Sequence, residues 1–225
     1  MIKKLLSVIF VSSSIISAAN ADMTNIGLKI SAGTMDASGS HTTNSTTAGS
    51  LGSGGVAVSA AADETFTYGS IFVERQFERD SFDFALGLDV IPGEREIGKL
   101  GEGNGFDATV NIGNVYTAYV QPMMKGPKNI TFFAKLGYTQ ADLDITNISR
   151  QATTAGTAST DGAQQKSLEG PMGGLGMQVD AGPIFVRLEA TKHYFDEITH
   201  TNSNGKIVKA EAELDSVSFS IGRSF

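Results

Sequence analysis

The chain reads as an all-β protein: an eight-stranded antiparallel up-and-down transmembrane β-barrel preceded by a cleavable signal peptide. Three features predict this. The last ten residues, Ser216 to Phe225, alternate between small polar and large apolar side chains and stop on phenylalanine. Eight segments with a two-residue period lie beyond residue 21, and their connections alternate between long and short. A strand sends successive side chains to opposite faces, so each segment has an apolar side suited to lipid and a polar side suited to a lumen.

The signal peptide comes first. Lys3 and Lys4 precede an apolar run from Leu5 to Ile16, and Ala19-Asn20-Ala21 supplies the small residues of a cleavage site. The run is shorter than the roughly twenty apolar residues of a spanning helix. Residues 1–21 are therefore expected to be removed, leaving 22–225 as one barrel domain.

The first strand, about 25–35, sets Ile26, Leu28, Ile30 and Ala32 against Gly27, Lys29, Ser31 and Gly33. The second, 66–77, is less regular: Ile71, Phe72 and Val73 are consecutive, so either Phe72 points inward or a bulge shifts the register. The third, 81–91, alternates without a break, with Phe82, Phe84, Leu86, Leu88 and Val90 opposite Asp83, Ala85, Gly87 and Asp89. The fourth covers 115–124. In the fifth, Ile130, Phe132, Ala134, Leu136 and Tyr138 oppose Thr131, Phe133, Lys135, Gly137 and Thr139. The sixth, 170–180, is diluted by Gly173, Gly174 and Gly176. In the seventh, Ile184, Val186, Leu188 and Ala190 oppose Phe185, Arg187, Glu189 and Thr191. The eighth carries Val217, Phe219, Ile221 and Phe225 on one side and Ser216, Ser218, Ser220, Gly222 and Ser224 on the other.

Short connections are expected at 78–80, 125–128 and 181–182, and long ones at 36–63, 92–114, 146–167 and 196–212. Strict alternation with an even strand number puts both termini and all short turns on the periplasmic side. Pro92, Pro122, Pro127, Pro171 and Pro183 are expected at strand ends or turns, since a proline forfeits a ladder hydrogen bond. Phe77, Phe82, Phe132 and Phe225 would form one interfacial girdle, with Tyr138 and Tyr194 at the opposite rim.

The composition excludes several classes. Without cysteine there is no disulfide framework and no thiolate site. The formal charge of −7 becomes −9 once Lys3 and Lys4 are lost, which disfavours nucleic-acid phosphates as a partner. Mean hydropathy is near zero, as expected when only alternate residues face lipid.

With the signal peptide, the eight-strand rhythm and the terminal Val217, Phe219, Ile221 and Phe225, the chain resembles small Gram-negative outer-membrane barrels related to the OmpA transmembrane domain and the opacity-type surface proteins. The resemblance implies residence in the cell outer membrane, with contact to its lipid and to lipopolysaccharide. It also implies delivery by periplasmic chaperones and recognition of those four terminal residues by the barrel-assembly machinery. Arg223 departs from the aromatic or apolar residue usual there, a departure an interfacial, snorkelling arginine tolerates. A peptidoglycan-binding extension is not expected.

Seven charged residues, Lys29, Glu74, Asp83, Asp89, Lys135, Arg187 and Glu189, share the polar faces. An eight-stranded lumen is just wide enough to be filled by side chains, so these are expected to pair as a structural plug, with a salt-bridge-gated conduction path as the alternative. Some barrels of this appearance are lipid A deacylases with His and Ser two apart on one strand face. Here His200 and Ser203 are three apart in a segment read as loop, on opposite faces if extended. His41 and His193 read as loop and rim residues. Asp142 and Asp144, with Asn147 nearby, read as a solvated acidic rim or a weak divalent-cation site. The glycine stretches 52–55 and 101–105 lack the context of a phosphate loop.

The expected role is structural or surface-interacting, through four extracellular loops that would carry any ligand site. It is non-enzymatic and needs no cofactor. A narrow channel for ions or small solutes is the second reading, and a lipid A modifying enzyme the third. A soluble lipocalin-like barrel is the structural alternative, and it would bury Phe84, Leu86, Leu136 and Leu188 inside.

Overall fold

The computed structural model describes residues 22–42, 57–79, 82–100, 106–150, 159–160, 164–201 and 207–225. The expected signal peptide, Ser203 and both glycine stretches lie outside them.

Two-residue alternation produces long strands: β1 (Asp22–Thr42), β2 (Ala57–Phe77), β3 (Asp83–Ile91), β4 (Arg95–Leu100), β5 (Phe106–Lys125), β6 (Ile130–Arg150), β7 (Ser159–Thr160), β8 (Gln164–Ala181), β9 (Ile184–Thr201) and β10 (Ile207–Ser224). Eight close a ring in the order β5, β3, β2, β1, β10, β9, β8, β6, with β6 returning to β5. All ladders are antiparallel. The short β4 flanks β5, and β7 flanks the end of β6.

The faces fall as the alternation predicts. Leu28, Leu86, Leu136 and Leu188 are half-exposed on the outside, at 60, 45, 59 and 50 %, while Lys29, Asp89, Lys135 and Glu189 turn inward and are largely removed from solvent. A wall of exposed Ile, Leu, Val and Phe around a charged interior is the arrangement of a membrane barrel, and it excludes the lipocalin-like alternative for this part of the molecule. Phe72 points inward at 3 % exposure, and the β1–β2 register runs unbroken past it, so no bulge is present.

The short turns gather at one end with the start of β1 and the end of β10, where Thr24 and Phe225 exchange backbone hydrogen bonds. Pro127-Lys128-Asn129-Ile130 closes with Ile130 N donating to Pro127 O at 3.2 Å, and Lys128 and Asn129 have φ of 56° and 60°, the paired positive values of a type I′ hairpin turn. Gly182, at φ 66°, precedes Pro183 in the two-residue turn between Ala181 and Ile184. Phe82, Phe132 and Phe225 are exposed at this end, whereas Phe77 is buried by stacking on Phe84 at 4.8 Å.

At the opposite, hairpin end the strands run further than the sequence suggests. Segments expected in loops continue β1 to Thr42, β2 back to Ala57, β6 to Arg150 and β9 to Thr201. His41 and His200 therefore sit on strand backbone rather than in loops. Twenty strand residues at about 3.3 Å each, tilted by about 40°, rise roughly 50 Å, about twice the height of an apolar lipid belt.

Here the chemistry of the two faces is exchanged. Inward positions become apolar and every wall strand supplies one: Met35, Tyr68, Ile91, Ile112, Leu143, Leu168, Phe195 and Leu214. Outward positions become polar, with Asp36, Asp63, Asp142, Asp144, Glu169, Asp196, Glu213 and Asp215 projecting. The β2–β3 ladder stops at Ile71 and Val90, and the β8–β9 ladder at Met172 and His193. Above these points the wall divides into two sheets, β9-β10-β1-β2 and β4-β5-β6-β8, which pack through the apolar core. A lower barrel of membrane type thus carries an upper sandwich of water-soluble type.

Two prolines depart from expectation. Pro171 lies inside β8, opposite Tyr138, where the missing donor costs nothing because pairing with β9 begins only at Met172. Pro122 lies within β5, where the β6 ladder skips Gln121 and Pro122.

Candidate functional site: the charged lumen

Strand register decides which lumen charges can meet. Arg187 on β9 reaches across to Glu74 on β2, with Nη1 donating to Oε1 at 2.6 Å and Nη2 to Oε2 at 2.7 Å. The Arg187 Nε also donates to Gln178 Oε1, and the Tyr119 hydroxyl donates to Glu74 Oε1 at 2.6 Å. Glu74 therefore accepts three charge-assisted or phenolic hydrogen bonds, the condition under which a carboxylate stays ionised away from water.

A second cluster joins β1, β3, β6 and β9. Lys135 Nζ donates to Glu189 Oε2 at 2.7 Å, and Lys29 Nζ donates to Glu189 Oε1 at 3.1 Å and to Asp89 Oδ2. Toward the turn end, Asp83 pairs with Lys125 at 3.1 Å. Lys29, Lys135 and Arg187 thus balance Glu74, Asp89 and Glu189, and Lys125, from the turn outside, balances Asp83. All seven lumen residues singled out from the sequence are brought into ion pairs of opposite sign.

What holds these cations centred was not read from the sequence. Each of the four hairpins sets one inward glycine directly opposite one inward aromatic ring: Gly27 and Phe72, Gly87 and Tyr119, Gly176 and Phe133, Gly222 and Phe185. A Cβ on any of these glycines would lie 2.2–2.4 Å from a ring atom. The glycine gives the ring room to lie against the wall, a cross-strand pairing known to protect glycine in sheets. The four rings then face the cations. Arg187 sits 4.5 Å over Phe185, 5.2 Å over Phe72 and 5.5 Å over Phe133, while Lys135 sits 4.3 Å over Tyr119, within cation–π range. The legible signal was aromatics on the polar faces, since Phe133 and Phe185 break an otherwise polar pattern.

His193 is not a rim residue. It lies 6 % exposed in the lumen, its Nδ1 2.9 Å from Thr139 Oγ1, which in turn meets Thr117 Oγ1 at 2.9 Å. Its ring stacks on Phe195 at the base of the apolar core. Serine replaces bulk along β10, where Ser218 pairs with Ser31 and Ser216 with Thr191, each at 2.8 Å. The remaining space among Lys29, Asp89, Thr117, Lys135 and His193 is about 10 Å³, room for one water at most.

Outside the membrane band, Asp142 and Asp144 lie on the outer face of β6, and no cluster of three cation ligands forms among the described residues. The side chains of His41, Asn147 and His200, with Ser203, fall outside the described residues. Asp36 stands opposite both Asp63 and Glu213 in the register. Its carboxyl is held above the ordinary range by loss of hydration and by the neighbouring Asp63. Glu197 lies below it through hydrogen bonding to Lys209.

No protein-family model and no curated protein matches the chain. Among solved structures it is similar to Ail, the attachment invasion locus protein of Yersinia pestis, crystallised with a heparin analogue, at 9 % identity over 92 % of this chain and all of that one, with a TM-score of 0.48. It is similar to the outer-membrane protease OmpT of Escherichia coli at 11 % identity over 89 and 97 % of the two chains, with a TM-score of 0.45. For Neisserial surface protein A the values are 10 %, 88 and 97 %, and 0.42. Superpositions this loose transfer no role to the chain. Its own apolar waist, charged interior and closed eight-strand ring make it a small β-barrel of the outer-membrane type.

Proposed function

We propose that this protein displays its four hairpins at the cell surface for interaction, with the turn end and both termini in the periplasm. The observation that carries the reading is the combination of a lumen filled by mutually neutralising ion pairs with strands that continue well beyond the apolar belt. A filled lumen is poorly suited to transport, and a rigid two-sheet stem raises the hairpins clear of the bilayer. Loops on a rigid scaffold are where binding resides in such proteins. The acidic stem, with Asp142, Asp144, Glu169 and Asp196 outward, disfavours anionic partners and favours basic ones. The protein acts without enzymatic chemistry in this reading.

Shortening each hairpin in turn and comparing ligand overlay and adhesion of expressing cells tests the proposal. Heat-modifiable migration on gels would confirm that each variant still folds. Unchanged binding across all four shortened forms would end it.

Outer-membrane lipid and lipopolysaccharide surround the belt in this reading, and the barrel-assembly machinery recognises Val217, Phe219, Ile221 and Phe225. All four are at least half exposed on the outer face or at the chain end. Truncating Phe225 is expected to lower the folded fraction delivered to the membrane while leaving synthesis unchanged.

A further inference from the structure

We propose that the permeability barrier of this barrel is the apolar core between its two upper sheets, and that the ion-pair layer beneath is not the gate. The proposal stands apart from what the hairpins bind and rests only on the orientation given above.

Two layers close the interior in series. The lower layer holds charged and hydrogen-bonded groups among the aromatic rings that seat its cations, and it contains buried polar atoms with no hydrogen-bond partner: Asn25 Oδ1, Asp89 Oδ1, Ser70 Oγ and both amide ends of Gln121. Ser70, Asp89 and Gln121 lie on β2, β3 and β5, and Asn25 lies on the neighbouring β1. Buried polar groups of this kind are satisfied by water, and Asp89 borders the 10 Å³ space that admits one. Rearranging ion pairs in such a layer exchanges one set of polar partners for another, so the layer is compatible with hydration.

The upper layer is different. Tyr68, Ile91 and Met172 roof that same space, and above them Met35, Leu143, Leu168, Phe195 and Leu214 pack into one cluster at 4–8 % exposure. An ion or water file crossing it would lose its hydrogen bonds with no replacement, and apolar constrictions block conduction by dewetting. Backbone hydrogen bonds do not hold this layer shut across its two seams, because the β2–β3 and β8–β9 ladders end below it. Side-chain packing closes it, helped at the β8–β9 seam by the close approach of the Gly170 backbone to that of Tyr194, so polar substitution in the packed cluster should open it. Neutralising charges below should not.

The chain has no cysteine, so an introduced cysteine is its single thiol. Ser70→Cys places one just beneath the apolar layer, and Lys209→Cys, exposed at the hairpin end, reports access and orientation. In intact cells, a small membrane-impermeant thiol reagent is expected to label Lys209→Cys and to leave Ser70→Cys unmodified. Adding Leu214→Ser with Leu168→Ser should raise Ser70→Cys labelling at least tenfold, whereas adding Lys135→Met with Glu189→Gln should leave it protected. Planar-bilayer recordings should follow the same order. Labelling of Ser70→Cys in the otherwise native chain, or its appearance with the ion-pair substitutions, overturns the proposal, and these two arms decide the matter if the double-serine form fails to fold. A silent Lys209→Cys would refute the orientation instead.

Discussion

Arg187 and Glu74 lie 113 residues apart in sequence and on opposite sides of the lumen, yet they form a two-pronged ion pair at 2.6 and 2.7 Å with 2 % and 1 % exposure. The barrel's register alone brings them together. Glu74→Gln would leave the guanidinium buried and unpaired, and removing one partner of such a pair costs about 3–5 kcal/mol. Glu74→Gln combined with Arg187→Met should recover much of that loss. Urea unfolding of the detergent-folded barrel, run as a double-mutant cycle, measures both.

The glycine and aromatic pairs predict a contrast within one residue type. Gly222→Ala places a Cβ 2.2 Å from the Phe185 ring, displacing it from Arg187 at a cost of about 1–3 kcal/mol, typical of overpacking. Gly173→Ala faces open space on the outer wall and should be neutral to slightly stabilising, since alanine restricts the unfolded chain. Equal effects of the two in thermal denaturation would discount the ring-seating role.

The apolar belt makes a depth prediction. Leu136→Arg, at a half-exposed position of the lower wall, should cost about 2–4 kcal/mol when the barrel is folded into lipid. Thr34→Arg, on the outer face of β1 just above the belt, should cost little. Reversal of that order would place the bilayer elsewhere on the molecule.

The stem of the first hairpin should respond to acid. Asp36 is raised in the folded state by lost hydration and by Asp63, so the fold binds its proton more tightly than the unfolded chain does. Its favourable contribution is complete below the unfolded pKa and fades as pH rises through the folded one. Glu197 works in the opposite sense: lowered by Lys209, it stabilises above the ordinary glutamate range and loses this as pH falls. Amide exchange at residues 34–36 and 63–65, taken relative to the intrinsic rate of each amide at the same pH, should slow on acidification toward pH 4. Asp36→Asn should slow it at neutral pH and flatten the dependence.

How far the sequence reached can be judged strand by strand. The face assignment of Phe82 to Val90, of Ile130 to Tyr138 and of Ile184 to Ala190 was legible because one side of each is uniformly apolar. The expected strand ends were too early at the hairpin end for the same reason. Beyond Ala32 and Val217 the outward residues turn polar while Met35 and Leu214 turn inward. The period is unchanged, but the contrast that marked it reverses sign and resembled a loop. His193 was misplaced by this early ending. Pro171 was misread because its tolerance depends on where the neighbouring β9 ladder stops.

Local chemistry was enough to establish β-strands, their two faces and the seven charges of the interior, since each is a property of residues one or two positions apart. Which charge meets which, the seating of four rings on four glycines, and the division of the upper wall into two sheets depend on register between strands distant in the chain. Those were settled only when the ring closed, because closure fixes the stagger of every strand at once and leaves each buried charge a single set of partners within reach.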